Sequence, residues 1–304
     1  MGVLSSAFSR IILVKRVRKA VIPAAGMGMR FLPATKAIPK EMLPIVDKPT
    51  IQYVVEEAVQ SGLKDVTFVT SSSKNAIEDH FDYNYRLEHK LQEQGKHELL
   101  KVVQEITRMI TVSSIRQKEP LGLGHAILIT KTLIGDEPFA VFLGDDIIVG
   151  EVPCMKQLLG VYETHQASVL AVQEVPQEAI SRYGVVAVEP VEPGDSRLFT
   201  VKDVVEKPRP EKAPSNLAVI GRYVLTPTVF EVLEKTKPGV GGEIQLTDGL
   251  RSLIEKEPVY AYRFQGSRYD AGNKLEYLMA TVDFALQRKD LGEQFRAYLK
   301  DLKL

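Results

Sequence analysis

Cysteine is nearly missing from this sequence: Cys154 is the single example among 304 residues. An intrachain disulfide and a cysteine-based zinc site are therefore excluded, and the usage fits a reducing compartment. Net charge is missing too, because 39 basic residues balance 39 acidic ones. Nothing global draws such a chain to nucleic acid or to an anionic membrane, so an anionic ligand must be held by a local cluster. No run approaches the ~20 apolar residues of a membrane span. The first residues place a short apolar patch between basic ones and lack a secretory pattern. A cytoplasmic protein without nucleic-acid or membrane partners is expected. The histidines, His80, His89, His97, His125 and His165, are scattered without metal spacing, and no Ser/His/Asp order stands out.

What is there is an ordinary globular composition, 44% hydrophobic and 26% charged, which rules out a disordered chain. Residues 19–25 read as a buried strand that runs into the turn Gly26-Met27-Gly28. Residues 50–61 place Ile51, Val54, Val55, Ala58 and Val59 on one helical face, with Pro49 at the start. Residues 66–70 are β-branched and predict a strand. This strand–helix–strand order implies a parallel sheet. Residues 78–109, charged and broken at Gly95, predict a solvated helical insertion. A helix is predicted over 122–133 and a fully buried strand over 139–143. Strands over 168–175, 185–189, 198–206 and 218–225 follow with few helices between them, and 260–264 is expected to be the last strand. The predicted fold is α/β: a mixed, mostly parallel sheet flanked by helices, a small antiparallel β part, and a helical C-terminus over 274–304. One domain over 18–304 is expected, after an N-terminal extension over 1–17.

Several residues suit phosphate chemistry. Glycines at a strand end let backbone N–H groups approach a phosphate. A dinucleotide fingerprint would need a third glycine before a helix, and none is present. Arg30 offers a forked cation suited to phosphate oxygens. A plain glycine turn with a surface arginine fits these residues equally well. The following stretch, 31–44, is too proline-rich for a helix and carries Lys36 and Lys40. Ordered loops of this length tend to be functional, and Arg30, Lys36 and Lys40 are placed to converge on a polyphosphate. Asp145 and Asp146 follow the apolar strand, where open α/β sheets bind ligands. Asp270 also follows a strand, and magnesium prefers one or two carboxylates plus phosphates and waters. Asp146 is assigned to a turn or a helix cap. Glu206 and Lys207 stand at a strand end, where Pro208 predicts an extended Lys207 and diverging side chains. Alone, that pair reads as a surface edge. Cys154, between Pro153 and Met155, reads as packing.

The run AAGMGMRFLPATKAIPKEMLPIVDKPTIQYVVEEA resembles the signature of the sugar-phosphate nucleotidyltransferases. So do QKEPLGLGHA, LGDD, RYGVV, VVEKP, GGEIQLTD and YDAGNKL, in that order, and the resemblance covers residues 19–291. The branch it resembles most is that of the bacterial UTP–glucose-1-phosphate uridylyltransferases, and the charged insertion fits that branch. The resemblance implies a Rossmann-like nucleotide-diphospho-sugar transferase fold and Mg²⁺ as cofactor, held by Asp145 and Asp270. It implies that Arg30 and Lys40 bind the UTP triphosphate, with Ala24, Ala25, Gly26, Gly28, Glu41, Gln117 and Gly122 completing the nucleotide side. Gln117 offers the donor and acceptor that a uracil edge requires. Gly184, Glu206, Lys207, Val219 and Glu243 would hold glucose 1-phosphate, with Gln245 beside them. One position departs: the pattern G-x-G-T-R has Met29 where threonine is expected. A different nucleotide specificity (dTTP or CTP) and a catalytically inactive regulatory subunit are the alternatives. The apolar residues Leu275, Leu278, Met279, Val282 and 284–286, continued by Phe295, Tyr298, Leu299 and Leu302, fit docking within the chain equally well; with the resemblance they imply a homodimer or homotetramer.

Overall fold

The computed structural model describes residues 15–72 and 74–302; most of the extension expected over 1–17 lies outside the described residues. The strands, in chain order, are β1 (Lys19–Pro23), β2 (Pro44–Ile45), β3 (Lys48–Pro49), β4 (Asp65–Thr70), β5 (Thr111–Arg116), β6 (Phe139–Phe142) and β7 (Asp146–Val149). They continue as β8 (Ser168–Glu174), β9 (Gly184–Pro190), β10 (Leu198–Glu206), β11 (Leu217–Leu225), β12 (Val259–Arg263) and β13 (Ser267–Asp270). Among the described residues, nine of them form one sheet in the order β5-β4-β1-β6-β11-β8-β12-β10-β9. The pairs β4–β5, β1–β4, β1–β6 and β8–β12 are parallel. β11 runs antiparallel to β6 and β8, and β10 to β12 and β9. Most strands therefore point one way, and β10 and β11 run against them.

Both faces of the sheet's central strands are covered, which is why β1, β6, β8 and β11 are apolar runs rather than alternating ones. In β1, Ala20 and Ile22 face the cluster containing Ile51, Val54, Phe68 and Leu158, while Val21 faces the cluster containing Phe139, Phe230 and Leu250. The first face is covered by α1 (Thr50–Gln60) and α7 (Cys154–His165). The apolar stripe of α1 buries Ile51, Val54, Val55 and Ala58. The helix ends where Gly62 takes φ +88° and Leu63 N–H donates to Ala58 O at 2.9 Å, a turn that glycine makes without a Cβ penalty. The second face carries α5 (Gly122–Leu128), α6 (Lys131–Ile134), α8 (Thr228–Leu233) and α9 (Leu246–Ile254). The helix expected over 122–133 is thus two helices.

The insertion begins earlier than expected and is three helices: α2 (Asn75–Phe81), α3 (Tyr85–Glu93) and α4 (His97–Thr107). Gly95, at φ +67°, makes the turn between the last two. Among the strands that the sequence did not suggest are β7 and β13. β7 and β13 pair antiparallel outside the main sheet, matching Asp146 with Asp270, so residues 260–264 do not hold the last strand. Over this ribbon lies α10 (Lys274–Gln287), followed by α11 (Gly292–Asp301). A small core of Ile45, Ile147, Ala271 and Ala280, flanked by Tyr53 and Phe284, joins α10 to the body. No helix among the described residues is long and apolar enough to cross a membrane.

Candidate active site

The C-terminal ends of β1, β4, β5 and β6 lie side by side, and the chain leaves them through residues 24–28, 71–72, 117 and 143–145. Beside this edge an open cleft is lined by Arg30, Asp145, Gly184, Glu206, Lys207, Val219 and Asp270 among others. Nine residues singled out in the sequence, these seven with Asp146 and Gln245, from segments up to 240 positions apart, therefore share one cavity.

Asp145 sits in the turn between β6 and β7. Its backbone O accepts from Ala271 N–H at 2.8 Å, which ties the turn to the end of β13. A Cβ on Gly272 would lie 2.8 Å from Asp145 Oδ2 and 2.9 Å from Asp270 Oδ1. Glycine thus leaves an oxygen-lined space between two carboxylates, a donor set that fits a hard divalent cation. Lys40 Nζ donates to Asp145 Oδ2 at 2.5 Å. Burial pushes the Asp145 carboxyl upward, but the Lys40 ammonium outweighs it and holds the group below the usual range. Burial, with Asp146 and Asp145 nearby, raises Asp270 in spite of Arg268. Asp270 is also flanked by Arg182 at 3.4 Å.

Gly28 brings Lys40 against the glycine turn. It takes φ +68°, and a Cβ there would stand 3.1 Å from Lys40 Cβ and 3.2 Å from Thr35 Cγ2. Thr35 Oγ1 donates to Gly28 O at 2.7 Å, which closes the 24–40 segment on itself. Short 3₁₀ turns at Met29–Phe31, Ala34–Lys36 and Lys40–Met42 give this stretch its form. Ala24 is buried, and its N–H donates to Val69 O at 2.8 Å. Ala25 is half-buried and Gly26 exposed, beside it. Lys36 does not line the main cleft with Arg30; it lines a separate, smaller cleft with Met27, Ser71 and Lys74. Met29 is exposed.

Other expectations are changed. Glu41 is buried, and its carboxylate accepts from Lys74 Nζ at 2.7 Å, so its oxygen already has a partner within the protein. Burial raises this carboxyl against the pull of Lys40 and Lys74. Asp146 neither caps a helix nor makes a simple turn. It opens β7, its Oδ1 accepts from Arg268 Nε at 2.8 Å, and its Oδ2 accepts from Gly221 N–H at 3.2 Å. Burial raises its carboxyl even so. Lys207 is not extended: its φ is +45° and its N–H donates to Tyr183 O at 3.0 Å. Its ammonium folds back to Glu206 Oε1 at 3.1 Å rather than diverging. The sheet explains this, because Glu206 is the last residue of β10, opposite Gly184, and the chain must turn sharply there.

Gln117 and Gly122 come together as Gln117 Nε2 donates to Gly122 O at 3.0 Å. Gly122 also needs to be small for packing, because a Cβ would meet Glu243 Cβ at 2.8 Å and Ile244 O at 2.9 Å. Glu243 therefore stands beside Gly122, exposed and accepting from Gln245 Nε2 at 3.0 Å, while Gln245 itself reaches the main cleft.

Sequence reasoning missed Lys74, Arg222, Thr247 and Arg268. Arg222, wholly buried, donates to Glu57 Oε2 at 2.7 Å and to the carbonyls of Gly221 and Asp146. It braces the turn that carries Asp145. Its signal was a charge inside an apolar strand, LAVIGRYVL, which requires a buried partner. Thr247 lies inside the run GGEIQLTD without standing out from it, and Arg268 gave no comparable signal.

A sequence model described as nucleotidyl transferase matches residues 19–287. A UTP–glucose-1-phosphate uridylyltransferase of Bacillus subtilis is 53% identical over 95% of this chain and 98% of its own. A UDP-glucose pyrophosphorylase solved in complex with UDP-glucose superposes with TM-score 0.81 at 47% identity, over 90% of this chain and all of its own. The UTP-bound enzyme of Acinetobacter baumannii superposes with TM-score 0.86 at 42% identity, over 94% of this chain and all of its own. The chain belongs to the nucleotidyl transferase family, in the branch of the UTP–glucose-1-phosphate uridylyltransferases.

Proposed function

We propose that the protein transfers the uridylyl group of UTP to glucose 1-phosphate, giving UDP-glucose and pyrophosphate. The observation that carries this reading is the paired Asp145 and Asp270 beside Lys40, with Glu206 and Lys207 lining the same cleft. The relatives solved with UTP and with UDP-glucose support the same substrate and product. No side-chain nucleophile is required, because an oxygen of the sugar phosphate attacks the α-phosphorus. A phosphorus–oxygen bond forms there as the bond to the pyrophosphate oxygen breaks. The difficulty is bringing two polyanions together, so positioning and charge neutralisation do the catalysis. Arg30 and Lys40 bind the triphosphate, and Lys207 turns the sugar phosphate toward it. Asp145 and Asp270 would hold Mg²⁺, which when bound neutralises phosphate charge. On the nucleotide side, Ala25, Gly26 and Gly28 offer backbone, and Gln117 with Gly122 meets the base. We assign the chain to one domain over 18–304, cytoplasmic, assembled as a homodimer or homotetramer.

The test is a pyrophosphate-release assay that crosses four nucleoside triphosphates with glucose 1-phosphate and galactose 1-phosphate. UTP with glucose 1-phosphate should be the best pair. A better pair with another nucleotide would move the specificity, and no release with any pair would favour a regulatory subunit. Asp145→Asn should lower the rate on the order of 10²–10⁴-fold without unfolding the protein. A variant within a few-fold of wild type would remove Asp145 from the site.

A further inference from the structure

Thr247 lies among the residues lining the cleft and has no role in the reaction derived above. It is the second residue of α9, and it is buried. Its Oγ1 donates to Glu206 Oε2 at 2.5 Å. The other oxygen of that carboxylate, Oε1, receives the Lys207 ammonium at 3.1 Å. Gly184 completes the arrangement, since a Cβ there would lie 3.0 Å from Thr247 Cγ2 and 3.4 Å from Glu206 Oε2. A threonine hydroxyl has one proton to give, and an ionised carboxylate only accepts. The direction of the bond is therefore fixed, and together with the Lys207 contact to the other oxygen it restrains rotation of the Glu206 carboxylate.

Nothing in the helix itself uses this hydroxyl. Threonine in a helix often bonds back to the carbonyl four residues earlier, but here that residue is Glu243, which precedes the helix. No side chain caps the first turn of α9. The bond is thus a tertiary one, made to a residue 41 positions away. A carboxylate that is to accept from sugar hydroxyls needs its orientation held within about 10–20°.

We propose that Thr247 is a positioning residue for sugar recognition: its hydroxyl holds the Glu206 carboxylate so that the remaining lone pairs meet hydroxyls of the sugar. This rests on the reading of Glu206 and Lys207 as the sugar-phosphate side. Valine replaces threonine with nearly the same volume and no donor. Serine keeps the donor without the methyl group.

The test is steady-state kinetics on the full chain, with both substrates varied, for wild type, Thr247→Val and Thr247→Ser. Thermal melting of each variant checks the fold. Thr247→Val should raise the KM for glucose 1-phosphate roughly ten- to a hundredfold and leave the KM for UTP nearly unchanged. Thr247→Ser should recover most of the loss. An unchanged sugar-phosphate KM in Thr247→Val overturns the proposal. So does a serine variant as poor as valine, since methyl packing against Gly184 would then be the whole role. An equal rise in both KM values overturns it as well. If Thr247→Val fails to fold, Thr247→Ser with near-wild-type KM alongside Thr247→Ala with a raised one supports the proposal, and equal values overturn it. Glu206→Gln and Lys207→Ala test the underlying reading separately. If they leave the sugar-phosphate KM unchanged, the placement of the sugar fails. If they raise it and Thr247→Val does not, only the role of Thr247 fails.

Discussion

Lys207 holds a backbone φ of +45° immediately before a proline. A side chain in the left-handed region costs on the order of 1–2 kcal/mol, and such strain persists where surrounding structure imposes it. Here the imposing contacts are the N–H bond to Tyr183 O and the ion pair with Glu206. Proline statistics alone misplace this residue, because they describe the residue before proline in an unconstrained chain. The pairing of Glu206 with Gly184 overrides them. Lys207→Gly should relieve the strain and stabilise the protein by about 1 kcal/mol, a rise of roughly 2 °C in Tm for a chain of this size. Lys207→Ala keeps the Cβ and should bring no such gain. Both should raise the KM for glucose 1-phosphate. Equal melting temperatures for the two variants would show that the turn carries no strain.

At the scale of elements, Arg222 on β11 joins Glu57 on α1 to the turn after β6. Glu57 in turn accepts from Met155 N–H at 3.0 Å in the first turn of α7. Two helices of one face and the turn bearing Asp145 thus meet on one guanidinium. Burial works against the charge of Arg222, but Glu57 outweighs it and raises the group above its usual value. Removing one partner of such a pair strands the other, at a cost of about 3–5 kcal/mol. Arg222→Met should lower stability by that amount in urea unfolding, and adding Glu57→Gln should return part of it. A loss below about 1 kcal/mol would mean that the pair behaves as a surface one. The long strands were legible because Val, Ile, Phe and Ala runs bury both faces. β7 and β13 were not, since each spans four residues and its partner lies more than a hundred positions away. Asp145 was legible from its place after an apolar strand, and its neighbour Arg268 was not, because only that ribbon brings it near.

Across the whole molecule, the parallel half carries Arg30, Lys40 and Asp145, and the antiparallel half carries Gly184, Glu206 and Lys207. The change from alternating strand and helix to successive strands was visible in the sequence, so the two sides of the cleft could be anticipated. What covers the C-terminal helices could not, because an apolar helix face looks the same whether it meets its own body or another copy. The structure divides that face. On α10, Ala280, Tyr277 and Phe284 dock on the small core around Ile45 and Ile147. Leu275 and Leu278 remain 66% and 59% exposed, with Met279 beside them and Tyr298 exposed on α11. A stable dimer needs roughly 800 Å² from each partner, and the proposed assembly would bury these exposed apolar residues at its centre. Light scattering at micromolar concentration should find a dimer or tetramer. Cutting the chain after Asp290 removes α11 and should lower the assembly order while α10 stays docked through Phe284. A monomeric wild type would end the oligomer proposal. A truncated chain of unchanged order would place the interface away from α11.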